Sequence, residues 1–153
     1  HPSTRLLLEE LAIRIKGGES VLDVGCGSGV LAVASVCFGA ETAFGIDVNE
    51  AGLLAAQANA RRNRVADRVQ FSSIQLSDVK DKYDVVVANI HDDILRRLAG
   101  ELVARIAPGG WLGLSGVSPG QVSRLRSAFS NIDFEDVREM QEWNALIGQV
   151  NIE

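Results

Sequence analysis

The stretch Val21-Leu22-Asp23-Val24-Gly25-Cys26-Gly27-Ser28-Gly29 passes from a short apolar run, through an acid, into three alternating glycines. The apolar run follows Gly17-Gly18 and is too short for a helix, so it predicts a buried strand. Glycines at 25, 27 and 29 let the backbone turn tightly and approach a ligand without a Cβ in the way. The apolar segment from Val30 to about Phe38 predicts a helix whose first N–H groups face the same loop. Strand, glycine loop and helix in this order open a doubly wound α/β sheet. Such a sheet binds ligands beyond the carboxyl ends of its strands, where the strand order reverses.

The flanking sequence agrees. Leu7, Leu8, Leu11, Ala12 and Ile15 form an apolar stripe that predicts a helix over 3–15, with Ser3 as its N-cap. Ala43 to Val48 predicts a second strand, and Asp47 or Asn49 caps the Ala-rich helix that runs to about Arg62. Val69-Gln70-Phe71 predicts a third strand and Tyr83 to Ala88 a fourth. The unalternating Val85-Val86-Val87 is the mark of a strand buried on both faces, hence of a parallel sheet covered by helices. One helix is expected over 94–106, strand five over Trp111 to Ser115 after the turn Pro108-Gly109-Gly110, and a last helix over 119–129. The final segments, 134–142 and 144–150, are separated by too little chain for a crossover and must be antiparallel. The expectation is a mostly parallel, seven-stranded sheet closed by an antiparallel hairpin.

Composition bounds the function. The 153 residues, 46% hydrophobic and 23% charged, make one domain, residues 1–153, with no room for a second of ordinary size. Net charge is −5, so no global basic field exists to hold nucleic acid. No apolar run reaches the roughly 18 residues of a membrane span. Two cysteines, Cys26 and Cys37, make neither a disulfide framework nor a zinc site, and a reducing cytoplasmic compartment is expected. Cys26 reads as a small neutral filler of a tight turn and Cys37 as core. The chain opens on His1-Pro2, without an initiator methionine, as an excised or processed domain does.

The spacing of the glycines separates ligand classes. A dinucleotide fingerprint starting at Gly25 needs glycine where Val30 stands, and a P-loop needs a Gly-Lys-Ser/Thr ending that is absent. What remains, G-x-G-x-G led by Asp23, resembles motif one of the class I S-adenosylmethionine-dependent methyltransferases. Asp47, ending the neighbouring strand, matches the acid that accepts two hydrogen bonds from a ribose diol.

Further segments narrow the likeness: His1-Pro2-Ser3-Thr4, Gly45-Ile46-Asp47-Val48, Ala88-Asn89-Ile90, Pro108-Gly109-Gly110, Leu114-Ser115-Gly116 and Glu142-Trp143, in this order. As an ordered set covering essentially the whole chain, they resemble the bacterial ribosomal protein L-eleven methyltransferase (PrmA-type) family. The resemblance implies an enzyme that moves a methyl group from S-adenosylmethionine, leaving S-adenosylhomocysteine, to a lysine side chain or α-amine of that ribosomal protein. It implies no direct nucleic-acid partner. It places Gly25, Gly27 and Gly29 along the methionine portion of the cofactor and Asp47 at the ribose, and it counts Asp23, Cys26 and Val48 among the cofactor-binding residues. Ser73 and Ile74 fall where the adenine lies, Thr4 contacts the cofactor from the covering helix, and Asn89 stands beside the transferred methyl group.

Asn89 suits amine chemistry on its own terms. Its Oδ1 accepts N–H bonds and aims a neutral nitrogen, whereas a carboxylate would hold the amine as ammonium. The chain departs from the family at His91-Asp92-Asp93, where small or apolar residues are usual. Asp92 or Asp93 is expected to cap the next helix, with attraction of a basic substrate as the lesser alternative. The resemblance implies an N-terminal recognition domain that is not expected within 1–153, either because it was removed or because this is a lineage with another substrate. Two other readings stay open: a non-catalytic cofactor-binding module, and an N- or O-methyltransferase of small molecules.

Overall fold

Strand β1 (Ser20–Val24) lies between β2 (Thr42–Ile46) and β4 (Tyr83–Asn89), parallel to both, in the computed structural model, which describes residues 1–150. Outward on one side follows β3 (Val69–Ser72). On the other come β5 (Ile106–Val117), β7 (Trp143–Val150) and β6 (Ile132–Met140). Among the described residues the sheet is seven-stranded in the order β3-β2-β1-β4-β5-β7-β6, parallel up to β5 and antiparallel beyond it. Chain order reverses between β1 and β4, and sheets of this kind bind ligands at that point, beyond the carboxyl ends of the strands.

The central parallel strands β1 and β4 bury both faces, which is why neither alternates. Val21, Val85, Val87 and Ile147 face helices α1 (Pro2–Arg14) and α2 (Val30–Cys37), together with Ala60 of α3 (Glu50–Arg62). Leu22, Val86, Leu112 and Leu146 face α4 (Asp92–Arg97), α5 (Ala99–Ala104) and α6 (Val122–Ala128). Ion pairs fix α1 against the far end of the sheet: Glu10 meets Arg14 at 2.7 Å and Arg138 at 3.4 Å, and Arg14 reaches Glu135 at 2.7 Å. The Arg14 guanidinium also lies 5.6 Å above the buried Trp111 ring.

Several boundaries differ from the sequence reading. Helix α1 begins at Pro2, and its N-cap is His1 rather than Ser3, because Nδ1 accepts the Ser3 N–H at 3.2 Å. Pro2 at the first helical position has a preset φ and no N–H to leave unpaired. The helix expected over 94–106 bends at Leu98 into α4 and α5. Hydrogen bonds from Leu98 N–H to Ile94 O and from Leu102 N–H to Leu98 O run through the bend, and Gly100, a poor helix former, follows it. Strand β5 already begins at Ile106, so Pro108-Gly109-Gly110 forms an irregular stretch within it. Cys37 is exposed rather than core. Helix α2 is apolar on every side, so no polar face marks the solvent side, and Phe38 beside it is 41% exposed.

Candidate functional site

The glycine loop is held by its own hydrogen bonds. Gly25 and Cys26 N–H both donate to Ile46 O, at 2.8 and 3.0 Å, and Gly29 N–H donates to Cys26 O at 2.9 Å. Gly27 N–H donates to Asp47 Oδ2 at 2.7 Å. Four N–H groups of the loop, those a phosphate-binding loop would turn toward its ligand, are therefore already used, at Gly25, Cys26, Gly27 and Gly29. Gly25, Gly27 and Gly29 all have positive φ, and their surroundings differ. A Cβ on Gly29 would lie 2.8 Å from Ala56 Cβ and Phe71 Cζ, whereas a Cβ on Gly27 would meet nothing within 4 Å. Gly29 is needed for packing; Gly27 borders open space.

Asp47 follows β2 directly, half-buried, and also accepts the Asn49 N–H at 2.9 Å. Asn49 is the cap of α3, taking Ala51 and Gly52 N–H. Val48 is 81% exposed, an apolar side chain left uncovered on this edge. Ser73 and Ile74 follow β3 and are exposed, with Ile74 N–H donating to Ser72 Oγ. Asp47 N–H donates to Ser72 O at 3.1 Å, which ties the ends of β2 and β3 together.

Asn89 ends β4, in register with Ser115 on β5. Its Nδ2 donates to Thr4 Oγ1 at 2.9 Å, so the first turn of α1 sits over the end of β4. Ser115, fully buried, donates its hydroxyl to Ser3 O at 2.8 Å and holds that turn down. The His1 ring packs edge-on against Trp143 with centroids 5.1 Å apart, which places His1 beside the start of β7. Ile90 packs into the glycine loop: its Cγ2 is 2.5 Å from where a Gly25 Cβ would stand.

Asp23 is the electrostatic centre. It is 1% exposed, and burial, reinforced by nearby Asp47, pushes its carboxyl up to about 7 despite a hydrogen bond from the Ala32 backbone. Ala32 is the third residue of α2, whose N-cap Gly29 has no side chain to offer, so Asp23 caps that helix from β1. Asp23 Oδ2 has no hydrogen-bond partner. Burial and the two nearby carboxylates push the Cys26 thiol up to about 12, leaving an inert filler.

Contact with substrate is ruled out for one residue the sequence singled out. Asp92 is the first residue of α4, not its cap, which is His91. The Asp92 side chain is buried and pairs with Arg96 at 3.3 Å and Arg124 at 3.8 Å, bracing α4 against α6. Asp93 pairs with Arg96 at 2.6 Å. Sequence reasoning assigned no role to Ser115, Glu10 or Arg138, whose partners lie more than a hundred residues away along the chain.

Residues 1–151 match the family model described as ribosomal protein L11 methyltransferase (PrmA). The ribosomal protein L11 methyltransferase of Geobacter sp. (strain M21) is 40% identical over 152 residues, covering 95% of this chain and 50% of that protein. The one from Pasteurella multocida is 39% identical over 98% of this chain and 52% of its own length. The chain thus spans about half the length of the curated relatives it matches. Among solved structures, the ribosomal protein L11 methylase of Lactobacillus delbrueckii subsp. bulgaricus superposes with a TM-score of 0.93 at 27% identity, over 98% of this chain and 79% of that one. With the sheet order, the glycine loop and the ordered motifs all in agreement, the chain belongs to the ribosomal protein L11 methyltransferase family.

Proposed function

We propose that the chain is the catalytic unit of an S-adenosylmethionine-dependent protein N-methyltransferase, working in the cytoplasm on ribosomal protein L11. The observation that carries this reading is the convergence of three groups at the switch point of the sheet. These are Asp47 on the Gly27 N–H, the unpartnered Asp23 Oδ2, and Asn89 braced by Thr4. A loop with four of its N–H groups spent internally suits a cationic nucleoside better than a phosphate. An unpaired buried carboxylate beside it suits an ammonium group. These features fit S-adenosylmethionine, whose sulfonium supplies an activated methyl group.

Each residue then has a task. Asp47 accepts the ribose hydroxyls, with Val48 and Ile74 as apolar contacts for the base and Ser73 at its edge. Gly27 leaves the space beside the methionine portion open, between Gly25 and Gly29, while Cys26 fills the turn. Asp23 receives the ammonium. Thr4 fixes the Asn89 amide, so that Oδ1 accepts an N–H of the incoming amine and points its lone pair along the line of transfer. The amine arrives mostly as ammonium, near pKa 10.4, and the apolar surroundings favour its neutral form; water carries the proton away.

The test is incubation with isotopically labelled S-adenosylmethionine and purified ribosomal protein L11. Cofactor binding in the micromolar range, about −8 kcal/mol, and label on lysine or α-amine nitrogen are expected. Binding without transfer to any protein would leave a cofactor-binding module. Label confined to small molecules would redirect the reading to their methylation.

A further inference from the structure

Strand β5 carries a bulge where it passes the end of β4. Leu114 pairs with Leu146 of β7 and Val117 with Asn144, so Ser115 and Gly116 together stand opposite Ala145 alone. A bulge of this kind breaks the alternation of faces and re-aims the residues within it. The burial agrees. Leu114 and Val117, three positions apart, share the core beneath α4 to α6, while Ser115 bonds Ser3 of α1 on the other face. Gly116 stands at φ 87°, outside the range of an extended strand.

The two bulge residues act on the two ends of one amide. Ser115 holds down the turn that carries Thr4, and Thr4 Oγ1 accepts from Asn89 Nδ2. Gly116 packs at the other end: a Cβ built on it would lie 3.0 Å from Asn89 Oδ1 and 3.0 Å from Ile90 O. Ile90 has little room to yield, because its Cγ2 takes the space that a Gly25 side chain would need. Among the described residues Asn89 Oδ1 accepts no hydrogen bond, so packing alone places it and its lone pairs stay available. Positive φ by itself explains a glycine at 116 but not this close approach. Gly109, at φ 80° in the same strand, would present its Cβ to nothing within 4 Å.

We propose that Gly116 is a positioning residue for methyl transfer, acting through Asn89. The bare bulge lets the amide oxygen stand where it receives an N–H of the acceptor amine, and any side chain at 116 drives that oxygen aside. This rests on the reading of Asn89 as the group that aims the amine.

Gly116→Ala and Gly116→Asn test it, since asparagine bears a positive φ at lower cost than alanine and brings the same Cβ. In both, kcat for transfer from labelled S-adenosylmethionine to ribosomal protein L11 should fall about tenfold or more, with the KM for S-adenosylmethionine within about twofold of the parent value. The Asn89 side-chain amide signals in a proton–nitrogen correlation spectrum, identified by their loss in Asn89→Ala, should shift in both variants. Gly109→Ala, strained in the same way but in open surroundings, should lower the melting temperature and leave kcat and those signals unchanged. Gly116 variants that behave like Gly109→Ala, or that fail to fold where Gly109→Ala folds, would show a glycine serving the fold alone and overturn the proposal. A parent chain that transfers no methyl group would remove the proposed function and this inference with it; an active parent with equally active Gly116 variants would remove the inference alone.

Discussion

Asn89 Nδ2 and Thr4 Oγ1 lie 2.9 Å apart, joining residues 85 positions apart along the chain. The bond links the end of the strand that follows the switch point to the first turn of the helix covering it. Ser115 supports it from the neighbouring strand through the Ser3 carbonyl, and Glu10 with Arg138 anchors the rest of the helix. The amide of Asn89 is thus oriented by a helix whose own seat is set by strands at the far side of the sheet.

Thr4→Val keeps the shape of the side chain and removes the oxygen. One lost hydrogen bond, about 1 kcal/mol net, together with the freed rotation of the amide, should lower kcat about tenfold and change cofactor affinity little. Thr4→Ser should restore most of the rate. Steady-state methyl transfer, with kcat and the KM for S-adenosylmethionine determined separately, checks both.

Asp47 shapes the loop through the same carboxylate that the proposed function gives to the ribose. Asp47→Ala removes the acceptor for Gly27 N–H and for a ribose hydroxyl, each a charge-assisted bond of about 1.5–3 kcal/mol, so affinity for S-adenosylhomocysteine should fall by about a hundredfold or more. Asp47→Asn, which keeps one carbonyl oxygen, should lose less. Calorimetric titration of both variants distinguishes them.

The parallel core was legible because Val85-Val86-Val87 has no polar partner on either face, and each of these residues is fully buried. The glycine loop and Asp47 were legible because a backbone with positive φ and a strand-end acid are local features. Most of what the sequence did not disclose depends on distant contacts. The hydroxyl of Ser115 on Ser3 O and the buried Asp92 reached by Arg124 take their roles from partners on other elements, whereas the His1 cap is a local bond to the Ser3 N–H that the turn residues alone did not single out. Periodicity placed Cys37 inside because it reports only whether one face of a helix is apolar, and α2 is apolar all round.

Two glycines of one loop should respond in opposite ways. Gly29→Ala forces a Cβ to 2.8 Å from Ala56 and Phe71 as well as into a positive φ, so the melting temperature should drop by several degrees, for a cost of about 2–4 kcal/mol. Gly27→Ala meets no protein atom and bears only the conformational cost of about 1 kcal/mol. Its methyl group enters the space assigned to the cofactor, so binding should fail while the fold stays intact. Thermal melts beside ligand titrations separate the two.

Asp23 makes stability and binding run against each other with pH. Its carboxyl rises from 3.8 in the unfolded chain to about 7 in the fold. The folded state therefore holds the extra proton, and the ligand-free protein gains stability as pH falls through 7, with the effect complete below 3.8. About three pH units of separation correspond to roughly 4 kcal/mol, which Asp23→Asn should recover above pH 7, where the wild-type side chain is ionised and buried. An ammonium group placed against Asp23 favours the ionised form, so cofactor affinity should rise with pH between 6 and about 7.5, with a proton released on binding. Titrations in two buffers of different ionisation enthalpy measure that proton. Release that persists undiminished in Asp23→Asn would assign it to another group and remove Asp23 from the site.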